Sequence, residues 1–180
     1  MISSPQHDTV LEARIPKEAR NWRNDPRIRK WCRQFTDISE HAHQVWLDRI
    51  ERDPTIRMFA IRQVQREGNE QYAGDVGVCG LTSINQLNQS AEFSLYIAPE
   101  YQKHSHGVRA LHLLCEHGFL DLNLNRIWGE VFEGNPAIKI FESLGFQKEG
   151  TLRESYFREG KFINSHIISV LRGKFLSERV

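Results

Sequence analysis

The segment Ala91-Glu-Phe-Ser-Leu-Tyr-Ile-Ala-Pro-Glu-Tyr-Gln-Lys-His-Ser-His-Gly107 stands directly before an apolar run of helical period. A polar loop opening a helix presents outward-facing backbone N–H groups at the helix's positive end, an arrangement suited to phosphates. Taken alone this is a weak signal, since most such loops bind nothing. His41/His43 and His104/His106 have i,i+2 spacing, no His-Glu-x-x-His is present, and no metal is expected. Cys32, Cys79 and Cys115 are odd in number, far apart and outside any Cys-x-x-Cys pair, which favours reduced, mostly buried thiols. Between Arg14 and Arg33 lie eight Lys and Arg residues against Glu18 and Asp25. This basic run reads as a solvated helix face or as a surface attracting an anionic acceptor.

These residues need a scaffold, and 180 residues suffice for one domain, 1–180, with no repeat or linker to divide it. The net charge of +1 lacks the strong positive field of a nucleic-acid binder, so no such partner is expected. Without a secretory signal or an apolar window near the roughly 20 residues that cross a bilayer, a cytoplasmic protein without membrane contact is the expectation.

Thr9 to Ile15 reads as a strand, and Pro16 opens a helix running through Trp22. Ser39 caps a helix with Ala42, Trp46 and Ile50 on one face, ended by Asp53-Pro54. Strands at Thr55–Val64, around Tyr72–Ile84 and at Ala91–Ala98 form an antiparallel meander, with a hairpin turn at 66–70. A helix from Val108 carries the buried stripe Leu111, Leu114, Cys115, Phe119 and Leu122. A strand at Arg126–Phe132, a short helix at Pro136–Leu144 stopped by Gly145, and strands at Phe146–Arg153 and Phe162–Leu171 follow. The order is α+β with one helical crossover at its centre.

From about Trp22 to Arg172 the chain resembles the GNAT superfamily of N-acetyltransferases. The blocks that carry the likeness are Trp22-Arg-Asn-Asp-Pro26, Ile28-Arg-Lys-Trp31, Leu124-Asn-Arg-Ile127, Glu130-Val131, Asn135-Pro-Ala-Ile138, Glu142-Ser-Leu-Gly-Phe146 and Glu149-Gly-Thr-Leu-Arg153. They stand in the order and spacing of the branch that holds ribosomal-protein N-terminal alanine acetyltransferases and amino-sugar acetyltransferases. The implied fold is a mixed, mainly antiparallel sheet of six to seven strands with splayed central strands and flanking helices. The implied reaction moves acetyl from acetyl-CoA to a primary amine without a covalent intermediate. Nucleotide-linked amino sugars are the first acceptor choice, because the basic run could meet their phosphates; a protein N-terminus is the runner-up, and a non-catalytic acyl-CoA-binding module the competing class. The acceptor is thus a small-molecule or peptide amine, and the protein a monomer or homodimer.

The resemblance also implies site residues. Gln102 and Gly107 match the first and last positions of a Gln/Arg-x-x-Gly-x-Gly/Ala loop that grips the coenzyme A pyrophosphate, with Lys103, His104, Ser105, His106 and Val108 beside them. Ser105 replaces the loop's first glycine, at some cost if a positive φ is required. His104 and His106 would add positive charge when protonated. Backbone N–H groups at Leu95, Tyr96 and Ile97 would meet the thioester carbonyl, where negative charge grows during attack. Asn135 would help hold the coenzyme. An ammonium cannot attack a thioester, so a carboxylate must take its proton: Glu92 is the first candidate, on the strand face of Ser94 and Tyr96, and Glu130 the second. A structural Glu92 paired with a cross-strand arginine is the alternative. Phe141 holds the position of a thiolate-protonating tyrosine, leaving Ser143, Tyr96 or water as donors.

Overall fold

The computed structural model describes residues 2–3, 8–67 and 70–177. Among them, eight strands form one sheet in the order β1-β2-β3-β4-β5-β6-β8-β7. The strands are β1 (Ile2–Ser3), β2 (Thr9–Glu12), β3 (Arg57–Glu67), β4 (Glu70–Asn85), β5 (Ser90–Ile97), β6 (Arg126–Phe132), β7 (Gln147–Arg158) and β8 (Lys161–Leu171). The helices are α1 (Ala19–Asn24), α2 (Pro26–Arg29), α3 (Glu40–Arg52), α4 (His106–Glu116), α5 (Ile138–Ser143) and α6 (Arg172–Ser177). The two-residue β1 is one strand more than the six to seven expected. The tip of the expected 66–70 hairpin lies partly outside the described residues. Neighbouring strands are antiparallel except β5 and β6, which run parallel because α4 makes the crossover between them.

Alternation along the strands sends two sets of side chains to the two faces of the sheet. Ala91, Phe93, Ile127, Val131, Ile168 and Val170 join Leu111, Leu114, Cys115 and Phe119 in the main core, so α4, α5 and α6 cover this face. On the other face a smaller cluster of Trp22, Ile28 and Ala98 holds α1 and α2, with Cys32 and Tyr96 packed against it. Two helix readings shift. The central helix begins at His106 rather than Val108 and ends in a π turn, His117–Asp121. Pro16 lies ahead of α1, which starts at Ala19. The helix capped by Ser39 is α3, and its stripe of Ala42, Trp46 and Ile50 lies on the outside of the fold, with no residue of the helix buried.

The feature that makes a site is where β5 and β6 part. Their pairing covers only Ser90–Glu92 against Arg126–Trp128. Beyond it β5 stays with β4, and β6 stays with β8. At the branch point Phe93 lies against Gly129, where a Cβ would come within 2.4 Å of the phenyl ring. The ring also packs on Phe141 and Phe146, with centroids 5.1 and 5.2 Å away, and so acts as a wedge fixed from the core side.

Candidate active site

The open edge of β5 follows from its ladder with β4. The Ala98 N–H bonds to the Val76 carbonyl at 2.8 Å, and the register pairs Tyr96 with Val78 and Ser94 with Gly80. In an antiparallel pair these alternate residues direct their N–H groups across the ladder, so Leu95 and Ile97 direct theirs into the gap facing β6. Of the three donors expected, the Tyr96 N–H is therefore turned away from the gap. The Ile97 carbonyl shares the gap side and accepts a bond from Gln102 Nε2 at 3.0 Å, which folds the following loop back over the strand end.

That loop reaches α4 through two left-handed residues, Lys103 at φ 69° and Ser105 at φ 61°. The Ser105 side chain caps no N–H, so the first turn of α4 keeps outward backbone donors. Gly107 is buried, and a Cβ there would stand 3.6 Å from Ile97. Strand end, glycine and helix start thus form one surface suited to a diphosphate. One expectation fails here. His106 is not a solvent-facing loop cation: its ring is buried, Nδ1 lies 3.1 Å from Thr9 Oγ1, and burial foremost, with His104 adding, holds its pKa below the usual imidazole value. His104 remains exposed, and Val108 is half-buried in the first turn.

On the opposite face the gap carries a pair of acids. Glu92 and Glu130 both leave the α1/α2 side of their strands, with side chains only 10% and 8% exposed. Between them sits Arg33, from the loop after α2. Its Nη2 bonds Glu92 Oε1, and its Nη1 lies 3.7 Å from Glu130 Oε2. Tyr156 on β7 donates to Glu130 Oε2 at 3.0 Å, and Ser165 on β8 donates to Oε1 at 2.5 Å. Burial raises the Glu92 pKa above the ordinary carboxylate value; Arg33 opposes this and Glu130 adds to it. The Tyr156 phenol is also raised, first by burial and then by its bond to Glu130. Such an arrangement can hold a cation and accept a proton.

Other candidate residues lie elsewhere. Tyr96 donates to the Ala19 carbonyl at 3.3 Å and fastens α1 to the sheet; burial drives its phenol pKa up, and its proton is directed away from the gap. Ser143 is exposed on α5, over the other face, and bonds back to the Ile140 carbonyl at 2.8 Å. It is not brought to the acids. Asn135 Oδ1 accepts from the Ala137 N–H at 3.0 Å and shapes the turn into α5. Phe141 is buried in the aromatic cluster with Phe93. Among the described residues, no three His, Cys, Asp or Glu side chains gather as a metal site, and no helix is long and apolar enough to cross a membrane.

The residues missed in the sequence are Arg33, Tyr156 and Arg158. Arg158 Nη2 donates to the Arg33 carbonyl at 2.7 Å, and its guanidinium stacks 4.2 Å from the Phe35 ring. Arg33 belongs to the basic run, but its partners are far away in sequence. The other arginines of that run are also engaged: Arg14 pairs with Glu12 and Asp75, Arg27 with Asp25 and Arg29 with Asp37. Arg20 and Arg23 donate to the carbonyls of Ile38 and Gln34.

Residues 13–147 match the family model of the acetyltransferase (GNAT) domain. An uncharacterized N-acetyltransferase, p20 of Bacillus licheniformis, is 30% identical over 156 residues, 84% of each chain. The spermidine N(1)-acetyltransferase of Escherichia coli K12 is 35% identical over 103 residues, 57% of this chain, and the match spans about half of that enzyme's length, 55%. The crystal structure of spermidine N-acetyltransferase from Vibrio cholerae in complex with CoA and spermine superposes with a TM-score of 0.82 at 25% identity, covering 94% of this chain and 98% of that one. With the splayed strands, the open β5 edge and the donor-rich start of α4 in place, the chain belongs to the GNAT family of acetyl-CoA-dependent N-acetyltransferases.

Proposed function

We propose that this N-acetyltransferase acts on a primary amine of a small polycation of the polyamine class. The observation that carries this reading is the acid pair: Glu92 and Glu130 converge at the mouth of the gap and already hold a cationic group between them. The likeness to enzymes named for spermidine supports the same acceptor class. A nucleotide-linked amino sugar loses its main support, since the arginines that would meet its phosphates are bound to carboxylates and carbonyls of the chain itself.

In this reading acetyl-CoA supplies the activated acetyl group. The α4 start and Gly107 receive its diphosphate, and the Leu95 N–H stands ready for the carbonyl oxygen as charge grows there. Glu92 takes the proton from the acceptor's ammonium, favoured in that role by its raised pKa. Glu130, fixed by Tyr156 and Ser165, steadies the cation. Phe141 stands in place of the thiolate-protonating tyrosine, and the Tyr156 phenol is engaged by Glu130; a thiol's pKa of about 8.5 makes thiolate a tolerable leaving group, protonated by water.

A thiol-release assay against spermidine, spermine, nucleotide-linked amino sugars and alanyl peptides tests the acceptor. We expect kcat/KM for a polyamine to exceed the others by at least about tenfold, the factor 1.4 kcal/mol of differential binding gives. A peptide or amino sugar in first place would overturn the assignment.

A further inference from the structure

Arg33 is an unusual member of the acid cluster because it is half exposed while its two partners are almost covered. The guanidinium is the solvent-facing partner of both carboxylates, and on the polyamine reading an acceptor reaches them past it. Its loop does not depend on it. Arg158 holds the Cys32 and Arg33 carbonyls, Asn24 bonds both the N–H and the carbonyl of Ile38, and Arg20 reaches the same carbonyl. The Arg33 side chain can therefore leave its seat by rotating outward with the loop backbone in place.

Seated, it places one positive charge between two negative ones. With Arg33 turned out, the acids face the gap uncompensated, a state that costs free energy unless another cation replaces the guanidinium. A neutral or anionic amine cannot make that replacement; an ammonium can. We propose that Arg33 is a specificity-determining gate of the acceptor subsite, its guanidinium holding the place between Glu92 and Glu130 that only a cationic amine can take over. The inference rests on the polyamine reading for its substrate, and on the Arg33 geometry alone for the cation seat.

The gate makes Arg33 a competitor of the acceptor. If it is seated about nine-tenths of the time, removing it lowers the KM for a polyamine roughly tenfold, because apparent affinity scales with the competent fraction. Arg33→Gln should show that fall, and millimolar methylguanidinium should restore the higher KM in the variant while leaving the parent unchanged. Arg33→Lys keeps the charge without the two-pronged fork and should lie between. A raised or unaltered KM in Arg33→Gln with normal melting temperature would overturn the gate.

A second readout needs no acceptor. The groups facing the Glu92 carboxyl are Arg33 from the loop, Glu130 from β6 and, through Glu130, Tyr156 and Ser165 from β7 and β8, while the Thr82 hydroxyl from β4 donates to the Glu92 backbone carbonyl. Losing Arg33 leaves burial and Glu130 acting in one direction, so carbon-13 titration should place the Glu92 carboxyl higher in Arg33→Gln than in the parent. Methylguanidinium should bring it down again. An unmoved Glu92 titration sinks the gate whatever the acceptor. A displaced and restored titration, with no turnover of any polyamine, would preserve the cation seat and refute the polyamine assignment alone.

Discussion

Replacing Glu92 with glutamine separates catalysis from structure, because the amide keeps the shape of the carboxylate but cannot accept a proton. Two opposing terms act on stability. The Arg33–Glu92 pair has one half-exposed partner, and such pairs contribute about 1 kcal/mol or less. Against this, Glu92 is buried beside a second carboxylate, so its charged form is disfavoured and its folded pKa lies above the ordinary 4.5. A group with a raised folded pKa contributes stability fully below its unfolded pKa and loses it as pH rises through the folded value. At neutral pH the charged Glu92 is thus a cost that the amide removes. The two terms offset, and the melting temperature should move by less than about 4 °C, the equivalent of about 1 kcal/mol in a chain of this size.

Catalysis has no such compensation. A positioned base contributes roughly 10²–10⁴ to the rate, so kcat at saturating polyamine should fall by that factor in a thiol-release assay. In the parent, activity should rise with pH through the raised Glu92 pKa, because only the deprotonated form accepts the proton, and this acid limb should flatten in the variant. Coenzyme affinity should hold. The reasoning is refuted by a fully active Glu92→Gln enzyme, or by a loss of activity that merely follows a large drop in melting temperature. In the first case Glu130→Gln becomes the decisive variant.

Two further substitutions probe the scaffold. Ser105→Gly should relieve the left-handed backbone at φ 61°, a cost of about 1–2 kcal/mol for a residue with a side chain, partly offset by glycine's greater unfolded freedom; a scan should show a melting temperature raised by up to about 4 °C and a tighter acetyl-CoA complex, and a lower value would mean the serine makes a compensating contact. Gly129→Val should cost about 1–3 kcal/mol by driving a Cβ into the Phe93 ring, and Phe93→Leu in the same chain should return part of the loss in denaturant titration.

Much of this architecture was legible because it rests on local signals. The period of Leu111, Leu114, Cys115, Phe119 and Leu122 marks α4 and the π turn after it; the first four are buried and Leu122 is half-buried. The meander shows in alternation and turn residues, and the parallel step follows from a helix set between two strands. Ser105 is a case where chemistry could be read closely: a serine in a glycine position implied a strained φ, and the backbone is left-handed there. The period and the Ser39 cap also mark α3, though they do not say how deeply an amphipathic helix is covered, and no residue of α3 is buried. His106 misled because the helix starts two residues earlier than expected, which turns a loop histidine inward against Thr9.

The acid cluster was half legible for a physical reason. Glu92 and Glu130 could be chosen from strand alternation and the need for a base, since both demands are local. Their partners come through tertiary contact: Arg33 stands 59 positions from Glu92, and Tyr156 stands 26 from Glu130. A sequence shows that the Arg14–Arg33 run is basic, but the meaning of that charge depends on what it faces. Read as free charge, the run predicts attraction of anions; folded, its arginines are engaged by Glu12, Asp25, Asp37, Asp75 and the site acids. The sign of the expected substrate reverses as a result. One guanidinium of that run sits with a carboxylate pair instead, and on the polyamine reading proposed above the ligand that competes with it is a cation.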